Sequence, residues 1–258
     1  MLPKINAFKL KKNKSKIVCL TAYSKNIAQI IDKHTDLILV GDSLGSVLYN
    51  FKSTRSVTLD MMIEHSKSAR QGISNSLMVV DMPYNTYNNP AQALKNCKKV
   101  MKLTKCDAVK LEGGLKIIKV VKLLVKNKIP VLGHLGILPQ FTKGKFKSKG
   151  KSAKERKEII RDSKLLQEAG AFSLVLECVE KKLSKEITNS VKIPTIGIGS
   201  SKNCDGQILV TEDILGLTES KIKFVKKFVD IKKLIFNGVK RFKKEVKSKK
   251  YPTKKYSY

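Results

Sequence analysis

Acidic residues stand directly behind four short apolar runs of this sequence. The acids and their runs are Asp42 after Leu37–Gly41, Asp81 after Leu77–Val80, Glu112 after Ala108–Leu111, and Glu177 after Phe172–Leu176. Runs this short, without polar alternation, are typical of parallel strands that are buried on both faces. Since the strands of a closed parallel barrel present their carboxyl ends at one mouth, the sequence predicts four carboxylates around that mouth.

The first three acids are spaced by about one strand-and-helix unit. Asp42 and Asp81 are 39 residues apart, and Asp81 and Glu112 are 31 residues apart, so they are expected on consecutive strand ends. Clustered carboxylates repel each other and need a cation or a shared proton, and oxygen ligands suit Mg²⁺. Each acid could instead cap a helix or pair with a lysine. Three acids on successive strand ends favour the metal site.

Three further residues are candidates for chemistry at the same mouth. Lys110 lies two residues before Glu112, so both side chains are expected on the inner face of the barrel. A buried lysine needs an anion, either a neighbouring carboxylate or a substrate carboxylate, or it could polarise a carbonyl. Glu177 is expected across the mouth from the other acids, where it can act as a general base. His134 is a lone histidine, which is more often structural than catalytic.

The elements that position these residues follow an α/β rhythm. Eight predicted strands alternate with helical segments in 258 residues, which indicates one (β/α)8 TIM barrel domain with a basic helical extension over about 220–258. An open doubly wound sheet fits less well, because no Gly-x-Gly-x-x-Gly turn follows the first strand. A Gly-, Ser- and Thr-rich loop is predicted from the second strand to Val57, and a helix is predicted to begin after it at Thr58. Another helix is predicted to begin at Asn89-Pro90. The fifth strand is predicted over Ile129–Gly133.

Composition bears on partners and compartment. The formal charge of +32 suggests either a polyanion partner or a bias toward lysine on solvated helix faces. The lysines are dispersed, and arginine forks and interleaved aromatics are scarce, so nucleic acid is not expected as a partner. Five cysteines without a Cys-x-x-Cys pair indicate reduced thiols in the cytoplasm. No apolar stretch has the length of a membrane span, so no membrane association is expected.

Six groups of residues carry a family resemblance that extends from about Lys16 to Pro252. They are Val-Gly-Asp-Ser-Leu-Gly at 40–45, Asp-Met-Pro at 81–83, Val-Lys-Leu-Glu-Gly-Gly at 109–114, Gly-His-Leu-Gly at 133–136, Leu-Glu-Cys at 176–178, and Ile-Gly-Ile-Gly at 196–199 with Asp-Gly-Gln at 205–207. Their order, spacing and residue types resemble the ketopantoate hydroxymethyltransferase family.

The resemblance implies a fold, a reaction and an assembly. The fold would be a (β/α)8 barrel of the phosphoenolpyruvate mutase type, and the assembly a homodecamer. The reaction would transfer a one-carbon unit from 5,10-methylenetetrahydrofolate, the co-substrate, to the small molecule 3-methyl-2-oxobutanoate. The product would be 2-dehydropantoate, in pantothenate biosynthesis.

The resemblance also assigns roles by position. Mg²⁺ would be bound by Asp42, Asp81 and Glu112. The oxoacid would be contacted by Asp42, Ser43, Asp81 and Lys110. Glu177 would be the proton acceptor. These roles agree with the chemistry read from the residues alone, because a metal ion and a positioned base together can form an enolate from so weak a carbon acid.

Some positions depart from the family pattern. Residues 144–150 read Gly-Lys-Phe-Lys-Ser-Lys-Gly where Gly-Gly-aromatic-Lys-Val-Gln-Gly is usual. Ser201 replaces a usual glycine, Leu138 a threonine and Glu212 a histidine. These departures concern folate handling and loop closure. Two other functions remain open: a different enolate-handling lyase of the same barrel superfamily, which would not require folate, and a basic nucleic-acid-binding protein.

Overall fold

Eight parallel strands form a closed barrel in the order of the sequence in the computed structural model, which describes residues 2–142, 147–219 and 222–258. The strands are β1 Ile17–Thr21, β2 Leu37–Val40, β3 Leu77–Asp81, β4 Ala108–Glu112, β5 Val131–Gly136, β6 Ser173–Glu177, β7 Thr195–Ile198 and β8 Gly206–Leu209. The predicted (β/α)8 barrel is therefore confirmed.

Helices lie before β1, between successive strands from β1 to β7, and after β8, whereas β7 leads into β8 without a helix. They are α1 Leu2–Lys9, α2 Lys25–Ile31, α3 Leu44–Tyr49, α4 Leu59–Arg70, α5 Pro90–Thr104, α6 Ile118–Lys126, α7 Ala153–Glu168, α8 Lys181–Ser190, α9 Thr211–Ile214 and α10 Ile231–Lys247. The chain divides into two compact units, residues 1–210 with the barrel and residues 211–258 with α9 and α10. The single-domain organisation stays a prediction.

The strand register brings the predicted functional residues to one end of the barrel. The pairs at the carboxyl ends are Asp81 with Lys110, Glu112 with His134, and Gly136 with Glu177. Strand β5 continues to Gly136, beyond the Gly133 that the sequence predicted as its end. His134 is therefore part of the strand, in register with Glu112, rather than in the loop that follows.

Two helices begin where the sequence predicted. The Thr58 hydroxyl accepts the backbone N–H of Met61 at 3.2 Å, and the Asn89 side chain accepts that of Gln92 at 2.9 Å, with Pro90 at the first helical position. A cap of this kind stabilises a helix by about 1 kcal/mol. These caps fix where α4 and α5 leave the loops at the barrel mouth.

Three of the described helices were not predicted, namely α1, α3 and the four-residue α9. Helix α1 buries Ile5 and Phe8 in the cluster that fills the barrel interior, and the Phe8 ring meets Phe172 edge to face at 5.8 Å. It therefore closes the amino-terminal end of the barrel. Helix α3 lies in the stretch predicted as a loop. Gly45, in α3, is packed so closely that a Cβ atom at this position would lie 2.6 Å from the Val57 side chain. The glycine is therefore explained by close packing of a helix and not by a loop.

The carboxyl-terminal unit contains one long helix. Helix α10 begins at residue 231, within the extension predicted from about 220, and residues 220 and 221 are outside the described ranges. None of its residues is buried. Among the described residues, no helix combines the length and the apolar character that crossing a bilayer requires.

Asp32, at the end of α2, holds the turn that leads into β3. Its carboxylate accepts the backbone N–H groups of Ser74 at 3.0 Å, Asn75 at 2.9 Å and Ser76 at 2.9 Å. Burial alone would raise the pKa of Asp32, but these hydrogen bonds outweigh it and lower the pKa from 3.8 to about 2. The ionised form is therefore the one that stabilises the fold.

The Asp32→Asn variant is expected to lose about 2 kcal/mol of unfolding free energy at neutral pH, from the size of that pKa shift. Because the folded-state pKa is depressed, the contribution is present above the unfolded pKa of 3.8 and is lost as the pH falls through about 2. Urea unfolding of both proteins between neutral and acidic pH measures this. If the difference in unfolding free energy between the wild type and Asp32→Asn stays constant from neutral to acidic pH, the stabilising role of the ionised Asp32 is contradicted.

Candidate active site

Asp42, Asp81 and Lys110 form a buried, hydrogen-bonded group at the mouth of the barrel. The Lys110 ammonium donates to Asp81 Oδ1 at 2.6 Å, and the Asp42 backbone N–H donates to Asp81 Oδ2 at 3.1 Å. All three residues are at most 5% exposed. The inward orientation that the sequence predicted for Lys110 is therefore what the structure has.

Glu112 joins this group through Gln140, which lies between β5 and α7. The Gln140 backbone N–H donates to Glu112 Oε2 at 3.0 Å, and its side-chain Nε2 donates to Asp42 Oδ2 at 2.8 Å. Three predicted metal ligands, on consecutive strand ends, are thus connected through one lysine and one glutamine.

Burial and mutual repulsion dominate the electrostatics of Asp42 and Asp81, whereas burial of Glu112 is outweighed by His134 and Lys110, which lower its pKa. Burial raises the pKa of Asp42 well above its usual value, and the charges of Asp81 and Glu112 raise it further. Burial also raises the pKa of Asp81, although Lys110 opposes the shift. The pKa of Lys110 is raised despite its burial, because Asp81, Glu112 and Asp42 surround it, so the ammonium stays charged. Burial therefore disfavours ionisation of Asp42 and Asp81 even with the Lys110 ammonium beside them.

His134 lies between two carboxylates. Its Nδ1 is 3.5 Å from Glu112 Oε1, and its Nε2 is 3.2 Å from Glu177 Oε2, although neither contact is aligned as a hydrogen bond. Burial and Lys110 act to lower the pKa of His134, but Glu112 and Glu177 outweigh them and raise it to about 9. Strand β6 is four strands from β2 and two strands from β4 around the closed barrel, so Glu177 lies across the mouth from Asp42, while a single imidazole separates it from Glu112.

The carboxylate group suits a hard divalent cation by its chemistry. Among the described residues, no three His, Cys, Asp or Glu side chains are already drawn together as a metal cluster. Burial, together with the neighbouring carboxylates, nevertheless raises the pKa values of Asp42 and Asp81 and so disfavours their ionised forms, which a bound cation would stabilise. Three carboxylates on adjacent strand ends supply the oxygen ligands that Mg²⁺ prefers. The residues present therefore fit the ion.

The structure also describes Ser43 and two of the positions that depart from the family pattern, Leu138 and Ser201. The Ser43 hydroxyl, which follows Asp42, is 2.8 Å from the Tyr23 hydroxyl and is half-buried. Leu138 is half-buried, and Ser201 is buried with its hydroxyl accepting the Asn203 N–H at 3.2 Å. In the departing loop, residues 143–146 lie outside the described ranges. The folate-handling expectation for these departures stays a prediction.

The sequence did not single out two residues that the structure places in the site. Gln140 is buried against Asp42 and Glu112, and the Tyr87 hydroxyl donates to its side-chain oxygen. Neither residue ends a strand or belongs to a charged pattern. The proximity of Gln140 to the strand that carries His134 was the one available signal.

Solved structures with the same fold define its class. A 2,3-dimethylmalate lyase of the PEP mutase/isocitrate lyase superfamily matches with a TM-score of 0.62 and 12% identity, over 98% of this chain and 92% of that one. Phosphoenolpyruvate phosphomutase from Streptomyces platensis subsp. rosaceus matches with a TM-score of 0.63 and 10% identity, over 95% and 87%. The fold is therefore a barrel of the phosphoenolpyruvate mutase type, as predicted.

Sequence comparison identifies the family within that class. The sequence model of ketopantoate hydroxymethyltransferase matches residues 3–254. The 3-methyl-2-oxobutanoate hydroxymethyltransferase of Pelagibacter ubique (strain HTCC1062) is 64% identical over the whole of both chains. The enzyme of that name from Anaplasma marginale (strain St. Maries) is 46% identical, over 100% of this chain and 94% of its own. The chain belongs to the ketopantoate hydroxymethyltransferase family, a family of transferases.

Proposed function

We propose that this protein transfers a hydroxymethyl group from 5,10-methylenetetrahydrofolate to 3-methyl-2-oxobutanoate and forms 2-dehydropantoate. The observation that carries the proposal is the buried group of Asp42, Asp81, Glu112 and Lys110 with Glu177 beside it, at the mouth of a barrel of this family. Such a group can bind an anionic oxoacid and remove a proton from it.

The oxoacid would be bound by charged and polar side chains on the inner face of the barrel mouth. Lys110 keeps its charge, so its ammonium can hold the substrate carboxylate, and the Ser43 hydroxyl can donate to the same group. Asp42, Asp81 and Glu112 would hold Mg²⁺. When bound, the ion supplies Lewis-acid charge that withdraws electron density from the keto group.

Glu177 is the proposed proton acceptor. It would take the proton from C3 of the oxoacid, while His134 holds the carboxylate by its Nε2 contact at 3.2 Å. A positioned base of this kind contributes about 10²–10⁴-fold to a rate. The side chain of Glu177 is 14% exposed and that of His134 is 2% exposed, so Glu177 has more access to the mouth than the imidazole.

Carbon–carbon bond formation completes the reaction. Water would first replace both bonds from the methylene carbon to the folate nitrogens, which leaves each nitrogen with a proton and releases formaldehyde at the site. C3 of the enolate would then attack the formaldehyde carbon, and the former carbonyl oxygen would take a proton from solvent and become the hydroxyl group. The proton from C3 stays on Glu177 until product leaves or solvent removes it. Tetrahydrofolate and 2-dehydropantoate are the products.

The experiment that tests this function measures 2-dehydropantoate formed by the purified protein from 3-methyl-2-oxobutanoate. Reactions with and without 5,10-methylenetetrahydrofolate, and with and without Mg²⁺, separate the requirements. Product that requires both would support the proposal. Turnover of the oxoacid without folate would instead favour a lyase of the same superfamily.

The assembly is proposed to be a homo-oligomer, a decamer by family resemblance. Helix α10 supports assembly because its apolar side chains are 44–65% exposed: Leu234, Ile235, Phe236, Val239, Phe242 and Val246. An apolar face of this size is characteristic of a protein interaction surface.

Ile235→Glu is expected to reduce the mass of the assembly in solution, because it places a charge on the apolar face of α10. Lys244→Glu is the matched control, since nine residues along a helix lead to the opposite side. Light scattering after size-exclusion chromatography measures both masses. A wild-type monomer, or an unchanged mass for Ile235→Glu, would contradict the proposed interface.

Reduced cysteines support a cytoplasmic location, which we propose for this enzyme. All five thiols are free, and four of them are buried. Burial raises the pKa of Cys106 to about 12 and that of Cys178 to about 11, so these thiols stay protonated and unreactive.

A further inference from the structure

Gln140 is a buried residue that is hydrogen-bonded to two of the active-site carboxylates. The residue is 1% exposed. Its side-chain Nε2 donates both to Asp42 Oδ2 at 2.8 Å and to the Met82 carbonyl at 3.0 Å, and its backbone N–H donates to Glu112 Oε2 at 3.0 Å. Gln140 therefore forms a hydrogen bond with one oxygen of the Asp42 carboxylate and one oxygen of the Glu112 carboxylate, and these bonds fix the orientation of both groups.

Tyr87 determines which way the Gln140 amide faces. The Tyr87 hydroxyl accepts the Glu112 backbone N–H at 3.4 Å and donates to Gln140 Oε1 at 2.5 Å. The amide oxygen therefore faces Tyr87 and the amide nitrogen faces Asp42. The reversed amide would place its oxygen against a carboxylate.

The loop that carries Gln140 is itself held from outside the site. The Arg55 guanidinium donates from Nε to the Gln140 carbonyl at 2.7 Å and lies 4.9 Å above the Tyr84 ring. Tyr84 in turn meets Phe141 edge to face at 5.7 Å. These contacts join the loops after β2, β3 and β5, so the Gln140 backbone is fixed independently of its side chain.

We infer that Gln140, oriented by Tyr87, is a positioning residue that holds Asp42 and Glu112 in the arrangement needed to bind a divalent cation. The inference rests on the proposed function, because it assigns the cation to these carboxylates. Groups that hydrogen-bond to metal ligands fix the ligand orientation, and their loss costs about 10–100-fold in metal affinity. Gln140 would touch neither the substrate nor the reacting atoms.

The test uses two variants with conserved shape. Gln140→Met keeps an unbranched side chain and the backbone N–H but removes the amide, and Tyr87→Phe removes only the hydroxyl. Isothermal titration of metal-free protein with Mg²⁺ is expected to show a Kd at least tenfold higher in each variant. The double variant is expected to be no weaker than the poorer single variant, because both act through the same amide.

Thr86→Val is the matched control. It deletes the hydrogen bond from Thr86 to the Pro83 carbonyl in the same loop without touching a carboxylate. Its Mg²⁺ affinity is expected to equal that of the wild type. Comparable loss of affinity in this control, or wild-type affinity in Gln140→Met or Tyr87→Phe, would overturn the inference.

Exchange of the C3 proton of 3-methyl-2-oxobutanoate with deuterated solvent separates positioning from general damage. At saturating Mg²⁺ the exchange rate of Gln140→Met is expected to be within about threefold of the wild-type rate. The Mg²⁺ concentration that gives half of the maximal exchange rate is expected to be higher than in the wild type. A rate that stays low at saturating Mg²⁺ would overturn the positioning role. Wild-type protein that binds Mg²⁺ without exchanging the proton would instead refute the proposed function.

Discussion

Replacing Glu177 by glutamine is expected to slow exchange of the C3 proton of 3-methyl-2-oxobutanoate with deuterated solvent by 10²-fold or more. The amide has the shape of the carboxylate but cannot accept the proton, and a positioned base contributes about that much to a rate. The measurement is made by NMR without folate, so that later steps cannot mask the result. Binding of Mg²⁺ and of the oxoacid should be retained.

Glu186→Gln is the matched control for this prediction. Glu186 is also a glutamate, but it forms an exposed ion pair with Arg156 at 2.6 Å. Its exchange rate should equal that of the wild type. Exchange at the wild-type rate in Glu177→Gln, with oxoacid still bound, would show that another group, such as His134, takes the proton.

Replacing Asp42 by asparagine is expected to raise the Kd for Mg²⁺ by on the order of 10²-fold or more, because a direct ligand and its charge are lost. Loss of a group that only hydrogen-bonds to a metal ligand costs about 10–100-fold in metal affinity, and loss of the ligand itself is expected to cost at least the upper end of that range. Metal-free Asp42→Asn should nevertheless be as stable as the wild type or more stable. The raised pKa of Asp42 shows that its buried charge opposes folding at neutral pH.

Thermal unfolding with and without Mg²⁺ tests both halves of this prediction. Addition of Mg²⁺ should raise the Tm of the wild type but not that of Asp42→Asn, since only a bound ligand stabilises the folded state. Asp60→Asn, at an exposed ion pair with Lys99, should behave as the wild type does. An equal Mg²⁺-dependent rise in all three proteins would remove Asp42 from the metal site.

The acids at the mouth could be predicted because local pattern and fold topology agree for them. A short apolar run that ends in an acid specifies both a buried strand and the side chain at its carboxyl end. For Asp81, Glu112 and Glu177 the structure differs from these predictions only in strand boundaries. Lys110 followed in the same way from the alternation of side chains along β4.

The remaining parts of the site depend on contacts that no local pattern records. Gln140 and Asp42 are 98 residues apart, and Gln140 and Tyr87 are 53 apart, so their hydrogen bonds exist only after the barrel closes. Among the α1 residues whose burial is described, 3–9, only Ile5 and Phe8 are buried, which is too weak a periodicity to predict a helix. His134 was undervalued because its partners lie on neighbouring strands.

Proton exchange by the wild-type protein shows whether the carboxylates at the mouth form an enolate of the oxoacid with the help of a divalent ion. 3-Methyl-2-oxobutanoate is incubated with the protein in deuterated buffer, without folate, before and after removal of metal by a chelator. We expect exchange at C3 that is lost with the chelator and restored by excess Mg²⁺. Exchange that persists at full rate in metal-free protein, or no exchange with Mg²⁺ present, would contradict this expectation.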